Sequence, residues 1–107
     1  SVMQVIDKVK DYVMRNYKNP EISLTSAAEF ASVSTGYLSG LFKKEAGTNF
    51  VKYLTDVRME KSMQLLRSTD MKTYEIAYET GFSNPHYFSV SFKKYTGMSP
   101  SEFRAKE

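Results

Sequence analysis

A short phrase occurs twice in this chain, and its repetition limits the folds that the chain can adopt. The sequence YLSGLFKKEAG begins at Tyr37, and YFSVSFKKYTG begins at Tyr87. At this offset of 50 residues, tyrosine, serine, phenylalanine, a pair of lysines and glycine recur in the same places. The correspondence extends upstream, where Ala27 matches Ala77 without a gap. Two copies are too few for a solenoid, which needs at least three stacked repeats, so we expect one binding device present twice.

Helical patterns fill almost the whole sequence. In the first segment apolar residues recur at spacings of three and four, as is typical of an amphipathic helix; they are Val2, Ile6, Val9, Val13 and Tyr17. Side chains that can cap the start of a following helix occur at Ser23, Ser34, Thr73 and Asn84. No stretch alternates long enough to predict a strand. The predicted fold is therefore all-α with seven helices.

Each copy of the repeat has the layout of a helix-turn-helix, which is a short helix, a tight turn and a second helix set across it. The predicted turns are Ser32–Ser34 and Phe82–Asn84, and the second helices end at Gly47 and Gly97. The whole chain, 1–107, is then one domain with these parts: a first helix-turn-helix at about 23–47, a linker helix at about 49–67, a second helix-turn-helix at about 73–97 and a C-terminal helix at about 99–105.

Composition excludes several classes of function. The chain has no cysteine, so disulfides, thiolate zinc sites and cysteine nucleophiles are absent, which fits a cytoplasmic location. No apolar run is long enough to span a bilayer, and the chain does not begin with a signal peptide, so we expect no membrane partner. His86 is the only histidine, and no cluster of metal ligands surrounds it. Without a nucleophile motif or a carboxylate pair, we expect no catalytic residues, no metal and no cofactor.

The second helix of each copy has an apolar face and a polar face. The predicted core residues are Leu38, Leu41, Phe42, Phe88, Phe92 and Tyr95. The helix starts and the opposite faces carry mostly small or polar side chains and a lysine: Ser34, Thr35, Gly36, Ser39, Gly40 and Lys43 in the first copy, and Asn84, Pro85, His86, Ser89, Val90 and Lys93 in the second. Such a face suits a helix in the major groove of double-stranded DNA, where short side chains let the backbone approach base edges and lysines meet phosphates.

An ordinary solvated helix face would also be polar and rich in lysine. Two observations count against that interpretation. The outward pattern is duplicated together with the core pattern, and Gly36 and Gly40 each cost up to about 1 kcal/mol against alanine inside a helix. The net charge of +3 at pH 7 is compatible with a nucleic-acid partner but is too common to select one.

Two segments resemble the DNA-binding domain of the AraC/XylS family of transcription regulators. One is ISLTSAAEFASVSTGYLSGLFKKEAGTNFVKYLTDVRMEKSMQLL, which begins at Ile22, and the other is YEIAYETGFSNPHYFSVSFKKYTGMSPSEFR, which begins at Tyr74. The resemblance extends from about Val5 to Arg104 and is most specific in GFSNPHYFSVSFKKYTGMSPSEFR. The phrase YLTDVRMEKSMQLL in the linker helix further resembles members that are response regulators of two-component systems.

The resemblance implies two homeodomain-like helix-turn-helix lobes joined by a rigid helix, with both recognition helices in major grooves on one side of the duplex. Base contacts would come from Gly36, Ser39 and Gly40 in the first groove and from His86, Ser89 and Val90 in the second. It also implies the output domain of a bacterial regulator, with a sensor or receiver upstream of Ser1 and RNA polymerase as a candidate partner. Because the chain does not begin with methionine, we expect it to be a fragment of a longer protein.

The sequence departs from a common pattern of the family at two base-facing positions. Where relatives often place arginine, this chain has Gly40 and Val90. Arginine bidentate to guanine is the commonest specific contact in the major groove. Since it is missing at both positions, we expect backbone contacts and DNA shape to contribute more to recognition.

Other side chains have a structural and a functional interpretation. His86 either hydrogen-bonds a base or a phosphate, or is simply exposed at a helix start. Arg58 either pairs with a carboxylate of the domain, which we favour, or touches the DNA backbone. Aromatic residues that could stack on single-stranded bases fall at core spacings and are predicted to pack inside: Tyr12, Tyr17, Phe30, Phe50, Tyr53, Phe82 and Phe103.

The main alternative for the whole chain is a helical module that binds another protein through the two repeated faces. Protein interfaces favour aromatic and methionine anchors and are depleted in lysine, whereas these faces carry lysines and no leucine. Sequence-specific binding of duplex DNA is therefore the leading hypothesis.

Overall fold

The computed structural model describes residues Ser1–Lys106. Within that range the chain forms seven helices and no strand, so the all-α prediction is confirmed. The helices, in chain order, are α1 (Val2–Asn16), α2 (Leu24–Phe30), α3 (Thr35–Ala46), α4 (Phe50–Ser68), α5 (Thr73–Glu79), α6 (Pro85–Thr96) and α7 (Pro100–Lys106).

The chain divides into two compact units. Unit 1 comprises Ser1–Val57, and unit 2 begins at Arg58. The division falls within α4, so the first part of that helix belongs to unit 1 and the rest to unit 2. Each unit contains one helix-turn-helix, formed by α2 and α3 in unit 1 and by α5 and α6 in unit 2.

Unit 1 is built around the inward side of α3. Leu38 and Phe42 are fully buried there, in a core shared with α1, α2 and the start of α4. The Phe42 ring meets the rings of Phe50 and Tyr53 edge-on, at centroid distances of 5.9 and 5.3 Å. Edge-to-face pairs add about 0.5–1.5 kcal/mol each to the burial of the rings. The start of α4 therefore helps to fix the orientation of α3.

Unit 2 repeats this arrangement with a row of aromatic rings. Phe82, Phe88, Phe92 and Phe103 are all buried, and successive ring centroids lie 5.1, 5.7 and 5.4 Å apart. The contact between Phe92 and Phe103 is edge-on, as is the contact of Phe42 at the equivalent position of unit 1. Phe103 belongs to α7, so α7 fixes α6 as the start of α4 fixes α3.

Two arginines of α4 lie over rings of this row. The Arg58 guanidinium is 5.8 Å from the centroid of the Phe82 ring, and the Arg67 guanidinium is 5.0 Å from that of Phe103. Burial lowers the pKa of Arg58, but the group stays protonated because the ordinary arginine pKa lies far above neutral pH. The contact with Phe82 supports a structural role for Arg58, exerted through an aromatic ring.

The non-helical segments of the two helix-turn-helix motifs differ by one residue, because their first helices end at different positions of the repeat. Residues 31–34 separate α2 from α3, whereas the longer segment 80–84 separates α5 from α6. Each turn contains one residue in the left-handed region, Ser32 with φ 59° and Gly81 with φ 96°. In each turn a backbone hydrogen bond spans five positions, at 3.0 Å in unit 1 and 2.9 Å in unit 2. Because Ala27 and Ser34 are as far apart as Ala77 and Asn84, the two motifs have the same number of residues, and α5 ends one position earlier in the repeat than α2 does.

Some predicted core positions are wrong. Phe30 and Tyr95 are 49% and 40% exposed, and the apolar stripe of α1 does not include Val2, which is 39% exposed. The Phe30 ring lies against the ring of Tyr12 at 4.8 Å, and the Tyr95 hydroxyl oxygen lies 3.5 Å from a carboxylate oxygen of Glu60. Helical spacing gives the direction of a side chain, but it does not show whether a neighbouring element covers that side chain.

The predicted cap of α5 is also wrong. Lys72 occupies the N-cap position, and Thr73 is the first helical residue. The carboxylate of Glu75 accepts a hydrogen bond from the backbone N–H of Lys72 at 2.8 Å. This bond is the half of a capping box that the third helical residue supplies, and it forms here without a hydroxyl group at the N-cap position.

Arg104 connects α7 to the end of α4. Its Nε donates a hydrogen bond to the backbone carbonyl of Leu66 and its Nη2 donates one to that of Thr69, both at 3.1 Å. The last carbonyls of a helix have no partner within the helix, and a cation there also meets the negative end of the helix dipole. Arg104 therefore stabilises the end of α4 and the helix that carries Phe103.

Replacing Arg104 by alanine is expected to lower the free energy of unfolding by about 1–3 kcal/mol, because two charge-assisted hydrogen bonds are lost. Urea unfolding followed by circular dichroism measures this quantity. Arg15→Ala is the matched control, because Arg15 makes an exposed ion pair with Asp11 at 2.9 Å, a contact worth less than about 1 kcal/mol. Equal effects of the two substitutions would contradict the capping role of Arg104.

Candidate nucleic-acid interface

Helices α3 and α6 begin and end at equivalent positions of the repeat. The side chains of Ser34 and Asn84 cap them, each accepting a hydrogen bond from the backbone N–H three residues further on, at 3.1 and 2.9 Å. Both helices end at a left-handed glycine, with φ 73° at Gly47 and 84° at Gly97. Two of the predicted site residues, Ser34 and Asn84, thus use a side-chain oxygen to start the helix.

The buried anchors of the two helices are also equivalent. Leu38 and Phe42 of α3 are fully buried, and so are Phe88 and Phe92 of α6. At 3.6 residues per turn, a residue two positions from an anchor points to the opposite side of the helix. Equal anchoring therefore directs equivalent sets of residues away from the core of each unit.

The outward side of α3, here called the unit 1 face, is small and polar. All of its residues are exposed: Thr35, Gly36, Ser39, Gly40 and Lys43. A Cβ atom added at Gly36 or Gly40 would meet nothing within 4 Å. Packing within the protein therefore does not require either glycine.

The outward side of α6, here called the unit 2 face, carries larger groups. His86, Val90 and Lys93 are exposed, whereas Pro85 and Ser89 are half-buried. An open depression of about 510 Å³ lies along this face, lined by His86, Ser89, Val90, Lys93, Lys94 and Ser99. An imidazole, a hydroxyl and an isopropyl group are thus presented together, with two ammonium groups nearby.

Four further residues belong to the surroundings of these faces. Tyr37 and Tyr87 are equivalent in the repeat and are 49% and 63% exposed, and Lys94 and Ser99 line the depression of unit 2. The tyrosines and Lys94 belong to the repeated phrase, so their recurrence in the sequence could have identified them as site residues. Ser99 lies outside the repeated phrase and joins the site only through the fold of unit 2.

Glu102 places a negative charge close to the cationic end of the unit 2 face. Its carboxylate accepts a hydrogen bond from the backbone N–H of Ser99 at 2.8 Å. That bond, the Ser99 side chain and the positive charge of Lys93 hold the pKa of Glu102 below its ordinary value of 4.5, against a smaller opposing effect of desolvation. The carboxylate is therefore ionised at neutral pH and offsets part of the local positive charge.

No group of three or more histidine, aspartate or glutamate side chains is placed to hold a metal ion within residues 1–106. None of the helices described combines the length and the apolar character needed to cross a membrane.

Comparison with known proteins places the chain in a family. A family model described as a helix-turn-helix domain matches residues 27–106. The transcriptional regulatory protein YesN of Bacillus subtilis (strain 168) is 44% identical over 106 residues, which are 96% of this chain and 29% of that protein. The chain spans about a third of the length of the curated relatives that it matches, with 29%, 35% and 31% for three of them.

Two solved structures are similar over nearly the whole chain. The C-terminal domain of the two-component response regulator yesN from Fusobacterium nucleatum is 37% identical with a TM-score of 0.91, covering 94% of this chain and 98% of that one. The C-terminal domain of AraT, a response regulator from Geobacillus stearothermophilus, is 39% identical with a TM-score of 0.94, covering 96% and 85%. The chain belongs to the AraC family of helix-turn-helix domains, so the resemblance found in its sequence is confirmed.

Gly40→Ala is expected to raise the free energy of unfolding by up to about 1 kcal/mol, because alanine favours the helix and its Cβ meets no other atom. Urea unfolding again provides the measurement. Gly47→Ala is the control with the opposite sign, since φ at Gly47 is 73° and a left-handed alanine costs about 1–2 kcal/mol. Destabilisation by Gly40→Ala would show that the glycine has a packing role.

Acid is expected to weaken the start of α7. Because the folded pKa of Glu102 is lowered, its stabilisation is present above the unfolded pKa and is lost as the pH falls through the folded value. Stability should therefore fall below about pH 4.5 in the parent and less steeply in Glu102→Gln, which keeps an acceptor but loses the charge. Urea midpoints across the acid range measure this, with the exposed Glu21→Gln as control. Identical acid profiles for the parent and Glu102→Gln would be inconsistent with this account.

Proposed function

We propose that the chain binds double-stranded DNA in a sequence-specific manner, as the output domain of a bacterial transcription regulator. One observation carries the proposal: two helices anchored at equivalent positions each present an outward face of short or polar side chains with a lysine near its end. Membership of a helix-turn-helix family and similarity to the C-terminal domains of response regulators support the same function.

In the proposed complex the outward faces of α3 and α6 lie in major grooves. The groove is about 12 Å wide, which admits a helix with its side chains. In unit 1, Gly36 and Gly40 let the backbone approach the base edges, and Ser39 offers a hydroxyl group. In unit 2, His86 and Ser89 hydrogen-bond base edges or phosphates, and Val90 offers an apolar contact. That the two helices occupy adjacent grooves stays a prediction.

Contacts with the DNA backbone are assigned to the residues around these faces. Lys43 and Lys93 neutralise phosphates, and each neutralised phosphate releases condensed counterions. The exposed hydroxyls of Tyr37 and Tyr87 hydrogen-bond phosphate oxygens on the flank of each helix. These contacts set the position of each unit on the duplex, whereas the base-facing residues supply the sequence preference.

The proposal extends to the longer protein that this domain represents. Since the chain corresponds to about a third of its curated relatives, we infer that a receiver or sensor region accompanies it and controls its access to DNA. Its role is binding rather than catalysis, in the cytoplasm where the chromosome lies. RNA polymerase is the further partner that a transcription regulator would recruit or exclude.

Lys43→Glu and Lys93→Glu are each expected to weaken binding to all duplex sequences alike. The binding constant of the parent should fall with salt, with a logarithmic slope of about −0.9 for each phosphate contact, and each variant should have a slope shallower by about one contact. Fluorescence anisotropy with a labelled duplex at several salt concentrations measures both quantities. Lys8→Glu makes the same charge change at an exposed site on α1 and is the matched control.

If both lysine variants bind as Lys8→Glu does, the two faces are not the docking surface. A duplex affinity of the parent that is insensitive to salt would contradict DNA binding through phosphate contacts altogether.

Gly40→Arg is expected to raise affinity and to create a preference for guanine in the groove of unit 1. A Cβ atom at Gly40 would meet nothing within 4 Å, so a side chain can leave α3 at this position without a clash at its base. Its two parallel hydrogen bonds to guanine are worth about 1–3 kcal/mol of discrimination. Selection from random duplexes, compared with Gly40→Lys, measures the new preference. An unchanged base preference would show that Gly40 does not face the bases.

A further inference from the structure

Val90 is the chemical exception on the unit 2 face. It is 54% exposed and lines the depression together with His86, Ser89 and the pair Lys93 and Lys94. The equivalent position of unit 1 is Gly40, so the repeat does not impose an apolar group there. Single exposed apolar side chains are ordinary on protein surfaces. Val90 differs from these in its position. It points directly away from the buried anchors of α6, the helix that enters the groove in our proposal.

The conformation of Val90 is restricted before anything binds. Valine is branched at Cβ, and about 90% of helical valines adopt a single χ1 rotamer. The helix therefore holds both methyl groups outward in one direction. A contact made by a side chain that is already ordered loses little rotamer entropy on binding, which favours its use in selecting a ligand.

The chemistry of the groove identifies the partner group. Among the base edges of the major groove, the C5-methyl group of thymine is the apolar feature, while the other edges present amino hydrogens, carbonyl oxygens and ring nitrogens. Valine set against those polar atoms would remove them from water without a hydrogen bond, which is unfavourable. An apolar residue at this position therefore both attracts thymine and rejects the alternatives.

Resting on the proposed function, we infer that Val90 selects a T·A base pair under unit 2 by packing against the thymine methyl group. Charge complementarity supports DNA as the occupant of the depression, since Lys93 and Lys94 line it beside Val90. Their contacts with phosphates hold α6 in register, so that Val90 meets the same base pair in every complex.

The experiment replaces thymine by deoxyuridine, which lacks only the methyl group. A preferred duplex is first selected with the 107-residue chain. Each thymine is then replaced in turn, and dissociation constants are measured at fixed salt. Replacement at one position should weaken binding by about fourfold, which is the effect of removing one methyl group from an apolar contact. A duplex with cytosine at that position should be bound more weakly than the same duplex with 5-methylcytosine, by a similar factor.

The protein variant that matches this change is Val90→Ala. It should bind the thymine and deoxyuridine duplexes equally, because the partner of the methyl group has been removed. Alanine also favours the helix, so folding is retained and can be checked by circular dichroism. Val51→Ala is the control, since Val51 is 65% exposed but lies on α4, outside both faces. It should keep the fourfold effect.

The outcomes separate this inference from the proposed function. If the parent binds duplex DNA but no thymine responds, or if the response persists in Val90→Ala, methyl recognition by Val90 is excluded while DNA binding stands. A parent chain that binds no duplex at any salt concentration overturns the proposed function and this inference with it.

Discussion

An edge-to-face contact between two aromatic rings in each unit fixes the helix on which the proposed function depends. Phe42 meets Tyr53 at 5.3 Å in unit 1, and Phe92 meets Phe103 at 5.4 Å in unit 2. In both pairs the first ring belongs to α3 or α6 and the second to the helix that follows it. Because a helix is rigid, fixing its inward side also fixes which residues face outward. The direction of the candidate interface is thus decided inside each core.

The features that the sequence predicted are those set by local interactions. The caps at Ser34 and Asn84 and the alternation of core and outward residues on α3 and α6 depend on neighbours within one or two turns. Burial and bonding that depend on residues far apart in the chain were harder to predict. The exposure of Phe30 reflects what packs over it, and the bonds of Arg104 to Leu66 and Thr69 join residues 38 and 35 positions apart. The position of Ser99 beside the unit 2 face likewise follows from the packing of unit 2, which no periodicity encodes.

In the proposed complex, the two units combine one scaffold with two recognition chemistries. Their helices have equivalent bounds, caps and anchors, whereas the outward faces differ in what they can contact. Gly36 and Gly40 of unit 1 have no side chain, which would let the backbone of α3 come close to the DNA. Such a contact depends on the shape of the groove more than on single base pairs. In the proposed complex, His86 and Val90 would give unit 2 one polar and one apolar group for base edges. Unit 2 should therefore supply most of the sequence preference, and unit 1 mainly affinity.

The most direct test of the central claim is methylation protection of a selected duplex bound by this chain. Dimethyl sulfate modifies guanine N7, which lies in the major groove, and adenine N3, which lies in the minor groove. Insertion of both recognition helices predicts two separate stretches of protected guanine N7, with adenine N3 left reactive between them. Protection confined to the minor groove, or a single protected stretch that survives removal of the Phe42 anchor in Phe42→Ala, would contradict the account.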